Sequence, residues 1–369
     1  MSQIKVVSLF SGGGLMDYGF VRAGYNVIWA NDIEPAAVKA YKTNIGDHIH
    51  LADISRMRTS EIPDADVIIG GFPCQPFSFS GANEGVNDDN GKLAYQFYRM
   101  IKEKNPYAFV AENVKGITTR THKEFFVKFV NMLSLLGYSV KYETLDASKY
   151  GVPQSRERVF IIGIRSDLNT TFNFQDIEKA PRVTLNIALK NVEGLPNHEN
   201  TLKYFSPRAL YGGLKRGGKG GTYGMRIQEW HSTSNTLRSH IAKDGIDFIH
   251  PECGLSNKVL SYLYAKKEDK SVSDLQYMAN EIYENFNPRR LSVRECLRIQ
   301  SVPDEYYFID DSTPLEKAIN PDLEIPITGQ YKIVGNGVPT LLAEKVARTL
   351  SQKIKHIILE KKSERVPVK

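Results

Sequence analysis

The chain has 369 residues, 41% hydrophobic and 24% charged, with a formal net charge of +6. These are the values of an ordinary soluble globular protein long enough for two domains, and no apolar run approaches the length of a membrane span. Three unevenly spaced cysteines, Cys74, Cys253 and Cys296, make neither a disulfide framework nor a metal-ligand pair. The histidines include no i,i+4 pair beside a glutamate, so no metal is expected. The N-terminus, MSQIKVVSLF, enters a strand directly rather than a signal peptide, and a reducing, cytoplasmic setting is expected.

The first 165 residues alternate strand and helix signals. Strand candidates are IKVVSLF, NVIWAN, DVIIGG, YAFVAE, YSVKYETL and RVFIIGI, with helical patterns EPAAVKAYKTN, KLAYQFYRMIKEK and HKEFFVKFVNMLSLLG among them. This alternation predicts an α/β, doubly wound parallel sheet with helices on both faces. The first strand ends in SLFSGGGLMDYGF, where Gly12, Gly13 and Gly14 allow a sharp turn and close approach of a ligand to the next helix. A glycine-rich turn alone is as often a plain tight turn as a nucleotide site. Asp32 at the end of the second strand and Asp53 after the third stand where such a sheet offers carboxylates to a ribose and an adenine. Each acid alone is equally a solvated surface group; the combination favours an adenosine-containing cofactor.

The fourth element runs from DVIIGG into GGFPCQPFSFS. Pro73 and Pro76 stiffen the backbone on both sides of Cys74, just past the C-terminal end of a buried strand, where open α/β sheets place their chemistry. The alternative is a thiol packed as a small hydrophobe. Residues 77–92, rich in Ser, Gly, Asn and Asp, have the composition of a mobile loop, and Asp88-Asp89-Asn90 within it reads as solvated rather than metal-binding.

The character changes after residue 180. Between Arg182 and Lys243 stand ten Lys/Arg and three Asp/Glu, a local excess larger than the net charge of the whole chain. A basic region on a near-neutral body points to a polyanion, nucleic acid first; the alternative is a solvated basic surface. Seven glycines between Gly212 and Gly224 read as a loop-rich module. Residues 257–285 read as a charged helical insertion, 292–299 and 340–358 as helices, and the tail KKSERVPVK as frayed.

Six segments, in order, carry a recognisable pattern. FSGGGLMDYGF, GGFPCQPFS, AENVKGI, YGVPQSRERVFIIG, RRLSVRECLRIQSVPD and YKIVGNGVP together resemble the motifs of DNA (cytosine-5) methyltransferases of restriction–modification type. The resemblance covers nearly all of the chain outside the basic module and the helical insertion. It implies a Rossmann-like, S-adenosylmethionine-dependent methyltransferase fold with a second, smaller, loop-rich domain. Residues 1–180 would form the catalytic and cofactor-binding domain and 181–287 the target-recognition domain with its helical insertion. Residues 288–369 would return to the catalytic domain.

The resemblance also assigns roles. Phe10, Gly12, Gly14, Asp32, Ile33, Asp53, Ile54, Pro73, Leu93 and Asn336 are implied to line the S-adenosylmethionine site, with Asp32 on the ribose hydroxyls and Asp53 and Ile54 at the adenine. Cys74 is implied as the nucleophile on carbon 6 of cytosine, Glu112 as the proton-sharing acid at nitrogen 3, Arg158 as donor to oxygen 2, and Arg156 as a positioning group for a phosphate or the Cys74 loop. Ser80 is implied near the gap left by a flipped base, and Thr236, in SNTLR, against the DNA backbone. Arg216, Arg226 and Arg238 are candidate guanine readers. Two residues depart from the pattern: Leu15 replaces a further glycine, and Ile33 an aromatic that some members stack on adenine. Cys253 and Cys296 are expected to be structural thiols.

The implied partner is double-stranded DNA holding a specific cytosine, bound by a monomer, with no membrane. A cognate restriction endonuclease would share the site without binding this chain. A tRNA cytosine methyltransferase has the same catalytic motifs, but the variable region lacks that branch's Cys-Phe-Thr signature and the recognition module is long. A catalytically dead DNA-binding relative is disfavoured by intact Cys74, Glu112 and Arg158, and a nicotinamide oxidoreductase by the Pro-Cys-Gln-Pro loop.

Overall fold

The computed structural model describes residues 3–73, 91–119, 122–216, 225–244, 248–265, 270–310 and 321–364. By compactness the chain divides into two units, one of 1–152, 156–181 and 337–369, the other of 153–155 and 182–336.

The first unit is built on a seven-stranded sheet of order β3-β2-β1-β4-β5-β7-β6. Its strands are β1 (Lys5–Leu9), β2 (Asn26–Asp32), β3 (Ile49–Leu51), β4 (Val67–Gly70), β5 (Ala108–Val114), β6 (Tyr138–Asp146) and β7 (Glu157–Arg165). The first five pair in parallel, and β7 runs antiparallel between β5 and β6. The sheet is therefore mixed, not wholly parallel as the alternation predicted. The physical reason is the β6–β7 connection: a parallel return needs a crossover of a dozen or more residues, usually a helix, and this link carries only the short turn Ala147–Lys149.

Continuous apolar runs in β1, β4, β5 and β7 reflect cover on both faces. In β5, Ala108 and Val110 enter one core while Phe109 and Ala111 enter the other; in β7, Phe160, Ile162 and Ile164 oppose Val159 and Ile161. The first core is closed by α1 (Leu15–Arg22) and the C-terminal helix Thr340–Glu364, the second by α3 (Gly91–Lys104) and α4 (Lys123–Leu135). Helix α2 (Pro35–Asn44) covers the β2–β3 edge through Val38 and Tyr41. This layering leaves the C-terminal ends of β1, β2, β4 and β5 to carry loops.

The second unit has its own apolar core. Leu210 and Leu214 of helix Pro207–Arg216 meet Leu260 of helix Asn257–Ala265 and Ala279 and Ile282 of helix Val272–Phe286. Two sequence readings change here. The glycine-rich stretch begins inside a helix, where Gly213 shares the buried stripe of Leu210 and Leu214. The helical segment read as an insertion supplies much of this unit's core instead.

The return to the first unit falls at Gly337 by compactness, later than the expected 288. Residues 288–310 are tied into the second unit by polar contacts. Arg289 forms a bidentate pair with Glu295 at 2.9 Å on both arms, Arg290 donates to the Ala242 carbonyl at 2.8 Å, and Asn197 donates to that of Phe308 at 3.0 Å. Burial of these bonded charges makes the pairing hard to break without loss of stability. Gly335 is needed for close approach in the same unit: a Cβ there would stand 2.4 Å from the Arg238 carbonyl oxygen.

Candidate active site

The ends of β1, β2 and the segment after β3 build the first part of the site. Phe10 and Gly12 take left-handed φ values of 54° and 57°, and Gly14, at 81°, starts α1. A Cβ at Gly12 would meet open space, whereas one at Gly14 would lie 2.1 Å from the Ile45 side chain. Glycine is thus required at 14 for packing, while at 12 it bares backbone toward a space able to hold a ligand. Asp32 accepts from the Gly12 amide at 2.8 Å and, on its other oxygen, from the Glu34 amide at 2.8 Å. Burial raises its carboxyl above the ordinary range, opposed by those amides and that of Ile33.

Asp53 accepts from the amide and hydroxyl of Ser55, at 2.9 and 2.7 Å, and the hydroxyl bond holds its carboxyl below the ordinary range. Ile33, directly after β2, is 68% exposed, while Ile54 is buried as a whole residue, 2% exposed. Leu93, in the first turn of α3, and Phe10 pack on the second core, and Pro73 is exposed. These residues fit an adenosine-bearing cofactor: an open glycine approach, an anchored carboxylate and an exposed apolar side chain. Leu15 starts α1 and is buried; a Cβ at Gly337 would stand 2.4 Å from it, so glycine at 337 admits the leucine that replaced a glycine. Asn336 ends helix Ile327–Asn336 of the second unit and is exposed.

The second part of the site lies at the ends of β4, β5 and β7. Because β7 is antiparallel to β5, Arg158 pairs with Val114 and Glu112 with Phe160, so Arg158 and Glu112 fall diagonally on one face. Arg158 Nε stands 2.9 Å from Glu112 Oε1, with the two residues 9% and 8% exposed. Burial raises the Glu112 carboxyl, the Arg158 and Arg156 charges opposing it. Gly71 gives the acid room: a Cβ there would stand 3.0 Å from Oε2. Asn113 donates to the Phe72 carbonyl at 2.9 Å and accepts from the Val114 amide. The acid and the residues leading to position 74 are therefore fixed to each other. Arg156 is fully buried and donates to the Gly337 carbonyl at 2.9 Å. Cys74 and Ser80 lie outside the described residues.

In the second unit, Thr236 donates to the Ser155 carbonyl at 2.7 Å. Exposed Arg226 donates to Asn235 at 3.2 Å, Arg238 stands 5.8 Å over the Phe248 ring, and Arg216 is exposed at a helix end. Gln154, which sequence reasoning passed over, organises this segment. Fully buried, it accepts from the Leu237 amide at 2.9 Å and donates to Gln300 at 3.0 Å. Its place as the glutamine of Q-x-R-x-R was the available signal. Cys296 is buried, which pushes its thiol up, and Cys253 is half-buried.

Asp17 was also missed. It is fully buried on α1 and accepts from Ser8 of β1 and Tyr41 of α2, both at 2.9 Å. Ser11 donates to Ser8 at 2.9 Å, linking this cluster to the glycine turn. Burial pushes the Asp17 carboxyl from 3.8 up to about 7. The folded state therefore holds a proton that the unfolded chain has already released, and stability falls as pH rises through that window. Asp17→Asn removes this slope. Relative to wild type, the variant is expected to gain on the order of 4 kcal/mol between acid and pH 8. Urea unfolding at a series of pH values checks this; parallel curves would contradict it.

The sheet order, with one antiparallel strand inserted near its edge and glycine and carboxylate turns at the strand ends, is that of a Rossmann-like α/β fold. The sequence profile of C-5 cytosine-specific DNA methylases matches residues 4–352. The chain is 35% identical over 375 residues to the Type II methyltransferase M.MthTI of Methanothermobacter thermautotrophicus, covering 96% of this chain and 99% of that protein. It is 33% identical to M.FnuDI of Fusobacterium nucleatum, covering 95% and 96%. Among solved structures, a putative DNA modification methyltransferase from an Escherichia coli prophage superposes with a TM-score of 0.67 at 20% identity, covering 96% of this chain and all of that one. The Schizosaccharomyces pombe Dnmt2 methyltransferase gives 0.67 at 16%, covering 96% and 99%. The chain belongs to the C-5 cytosine-specific DNA methylase family. It is a DNA (cytosine-5-)-methyltransferase of the restriction–modification kind, a class that methylates carbon 5 of cytosine from S-adenosylmethionine.

Proposed function

We propose that this enzyme methylates one cytosine within a short duplex DNA sequence, after flipping it out of the stack, through a transient Cys74–carbon 6 bond. Flipping follows from the chemistry: the reacting carbons of a stacked base are out of reach, and DNA methyltransferases as a class extrude the nucleotide they modify. The observation that carries the reading is the buried Glu112–Arg158 pair at 2.9 Å, with Gly71 against Glu112 and Asn113 bonded to Phe72. It supports an acid held beside the residues that lead to the thiol.

Carbon 5 of cytosine is a weak nucleophile. The Cys74 thiol loses its proton and its sulfur adds to carbon 6, turning carbon 5 into an enamine-like centre. Glu112, with its raised pKa, shares a proton with nitrogen 3 and accepts from the exocyclic amine. Arg158 donates to oxygen 2 as charge develops. Arg156 acts from the interior by holding Gly337, and its burial disfavours a phosphate contact. S-adenosylmethionine, when bound, supplies an electrophilic methyl group on a sulfonium. Phe10, Gly12, Gly14, Asp32, Ile33, Asp53, Ile54, Pro73 and Leu93 would hold it. After transfer, the carbon 5 proton is lost and the sulfur departs, restoring the ring's double bond.

The basic module is the proposed reader of DNA: its Lys and Arg meet phosphates, Thr236 the backbone, Ser80 the gap left by the base, and Arg216, Arg226 or Arg238 guanines. The enzyme works as a monomer in the cytoplasm of a prokaryotic or phage-infected cell, beside an endonuclease that shares its site but does not bind it. Bisulfite sequencing of host DNA expressing the protein tests the specificity: conversion-resistant cytosine at one short motif is expected, and uniform conversion would contradict it. Binding to cognate duplex is expected to weaken by roughly 10³-fold between 50 and 200 mM salt if about six phosphates are contacted. A flat dependence, measured by fluorescence anisotropy, would remove the phosphate role of the basic module.

A further inference from the structure

We infer that Arg99 of α3 is a positioning residue for the adenine end of the cofactor site. It acts by fixing the turn that carries Asp53 and Ile54, and the inference rests on the reading of those two residues as adenine contacts.

The segment between β3 and β4 has little regular structure of its own. It consists of two short 3-10 turns, Ile54–Arg56 and Thr59–Glu61, in which the Ile54 carbonyl takes a backbone bond from the Met57 amide at 3.4 Å. Arg99 serves them from a neighbouring helix. Its Nη2 donates to the carbonyls of Ile54 at 3.0 Å and Met57 at 3.1 Å, and its Nη1 to the Thr59 hydroxyl at 2.7 Å. The remaining nitrogen, Nε, donates to Gln96 one helical turn earlier at 2.7 Å, which orients the guanidinium plane. Its neighbours in α3, Phe97, Met100 and Ile101, are fully buried, so the base of the Arg99 side chain is anchored in the core.

The chain of causes from Arg99 to the ligand is short. Two of its bonds bracket the first turn at Ile54 and Met57. Asp53 caps that same turn, its carboxylate locked to Ser55 by two hydrogen bonds, so the acid moves with the turn. The Ile54 side chain is buried and its backbone shares the same fate. A planar fork reaching three acceptors at fixed angles suits arginine; a lysine ammonium is a point charge without that geometry. A purely structural role would lower stability and spread its effect over all kinetic constants. A positioning role predicts a split instead: weaker cofactor binding with little change in turnover once the cofactor saturates.

The test measures the KM for S-adenosylmethionine, kcat with saturating cofactor and DNA, and the Kd for S-adenosylhomocysteine by calorimetry. It uses wild type, Arg99→Ala, Arg99→Lys, Asp53→Ala and the double variant Arg99→Ala/Asp53→Ala. Arg99→Ala is expected to raise KM and Kd about tenfold, with kcat within about twofold. Arg99→Lys should recover only part of the loss, and the double variant should bind no more weakly than the weaker single variant, because both act through one turn. Unchanged Kd in Arg99→Ala, full recovery by lysine, or additive losses in the double variant would each overturn the inference. Should Asp53→Ala bind like wild type while Arg99→Ala loses affinity, the adenine assignment itself fails, and the route through Asp53 with it.

Discussion

Cys74→Ala is expected to abolish methyl transfer to DNA, with a loss of at least about 10⁴-fold and binding of S-adenosylhomocysteine within about twofold of wild type. The size follows from the chemistry. Without a sulfur to add at carbon 6 the ring keeps its aromatic character, and no other step can make carbon 5 nucleophilic enough for a sulfonium methyl. Cofactor binding is spared because the glycine turn, Asp32 and Asp53 belong to other strand ends. A filter-binding assay with radiolabelled methyl donor reads the first quantity and calorimetry the second. Residual transfer above about 1% of wild type would remove the assigned nucleophile, on the same arithmetic.

Glu112→Gln is expected to have the next largest effect. It keeps the shape of the side chain and an acceptor for the exocyclic amine but cannot pass a proton to nitrogen 3, so kcat should fall roughly 10²- to 10⁴-fold. The pH profile adds a signature. The Glu112 carboxyl is raised by burial, and its protonated form is the proposed acid, so the rate should fall as pH rises through its pKa. In Glu112→Gln this alkaline limb should vanish. Single-turnover rates across pH check this; an unchanged alkaline limb in the variant would assign that ionisation elsewhere. Glu112→Gln is preferred to Arg158→Ala for this purpose, since removing the arginine would leave the buried acid without its partner and alter its protonation.

Much of the fold was legible in the chain because both strand and helix obey simple periods. Runs such as Val67-Ile68-Ile69 announce a strand covered on both faces, and the burial of all three agrees. The glycines at 12–14, Asp32 and Asp53 announced strand-end turns, and the structure joins two of them directly through the Gly12–Asp32 bond. What escaped was set by tertiary contacts. The antiparallel course of β7 has no local signal, yet it alone brings Arg158 onto the face of Glu112. Helix Ile327–Asn336 was hidden by its ending in glycine and asparagine, residues that read as a turn. Helix Pro207–Arg216 was hidden by two internal glycines whose cost is offset by packing on helix Val272–Phe286. Asp17 is ordinary in sequence, and only its burial and partners distinguish it; Gln154 and Asn113 stand in motifs, but their bonding partners are not legible there.

Catalysis by this enzyme is proposed to turn on a covalent bond between one sulfur and one pyrimidine carbon. The most direct measurement incubates the protein with S-adenosylmethionine and a duplex carrying 5-fluorocytosine at the methylated position, then maps any adduct by mass spectrometry after proteolysis. Fluorine cannot leave as the carbon 5 proton does, so a stable adduct joining DNA to the peptide that contains Cys74 is the predicted result. A methylated product with no adduct, or an adduct on another residue, would contradict it.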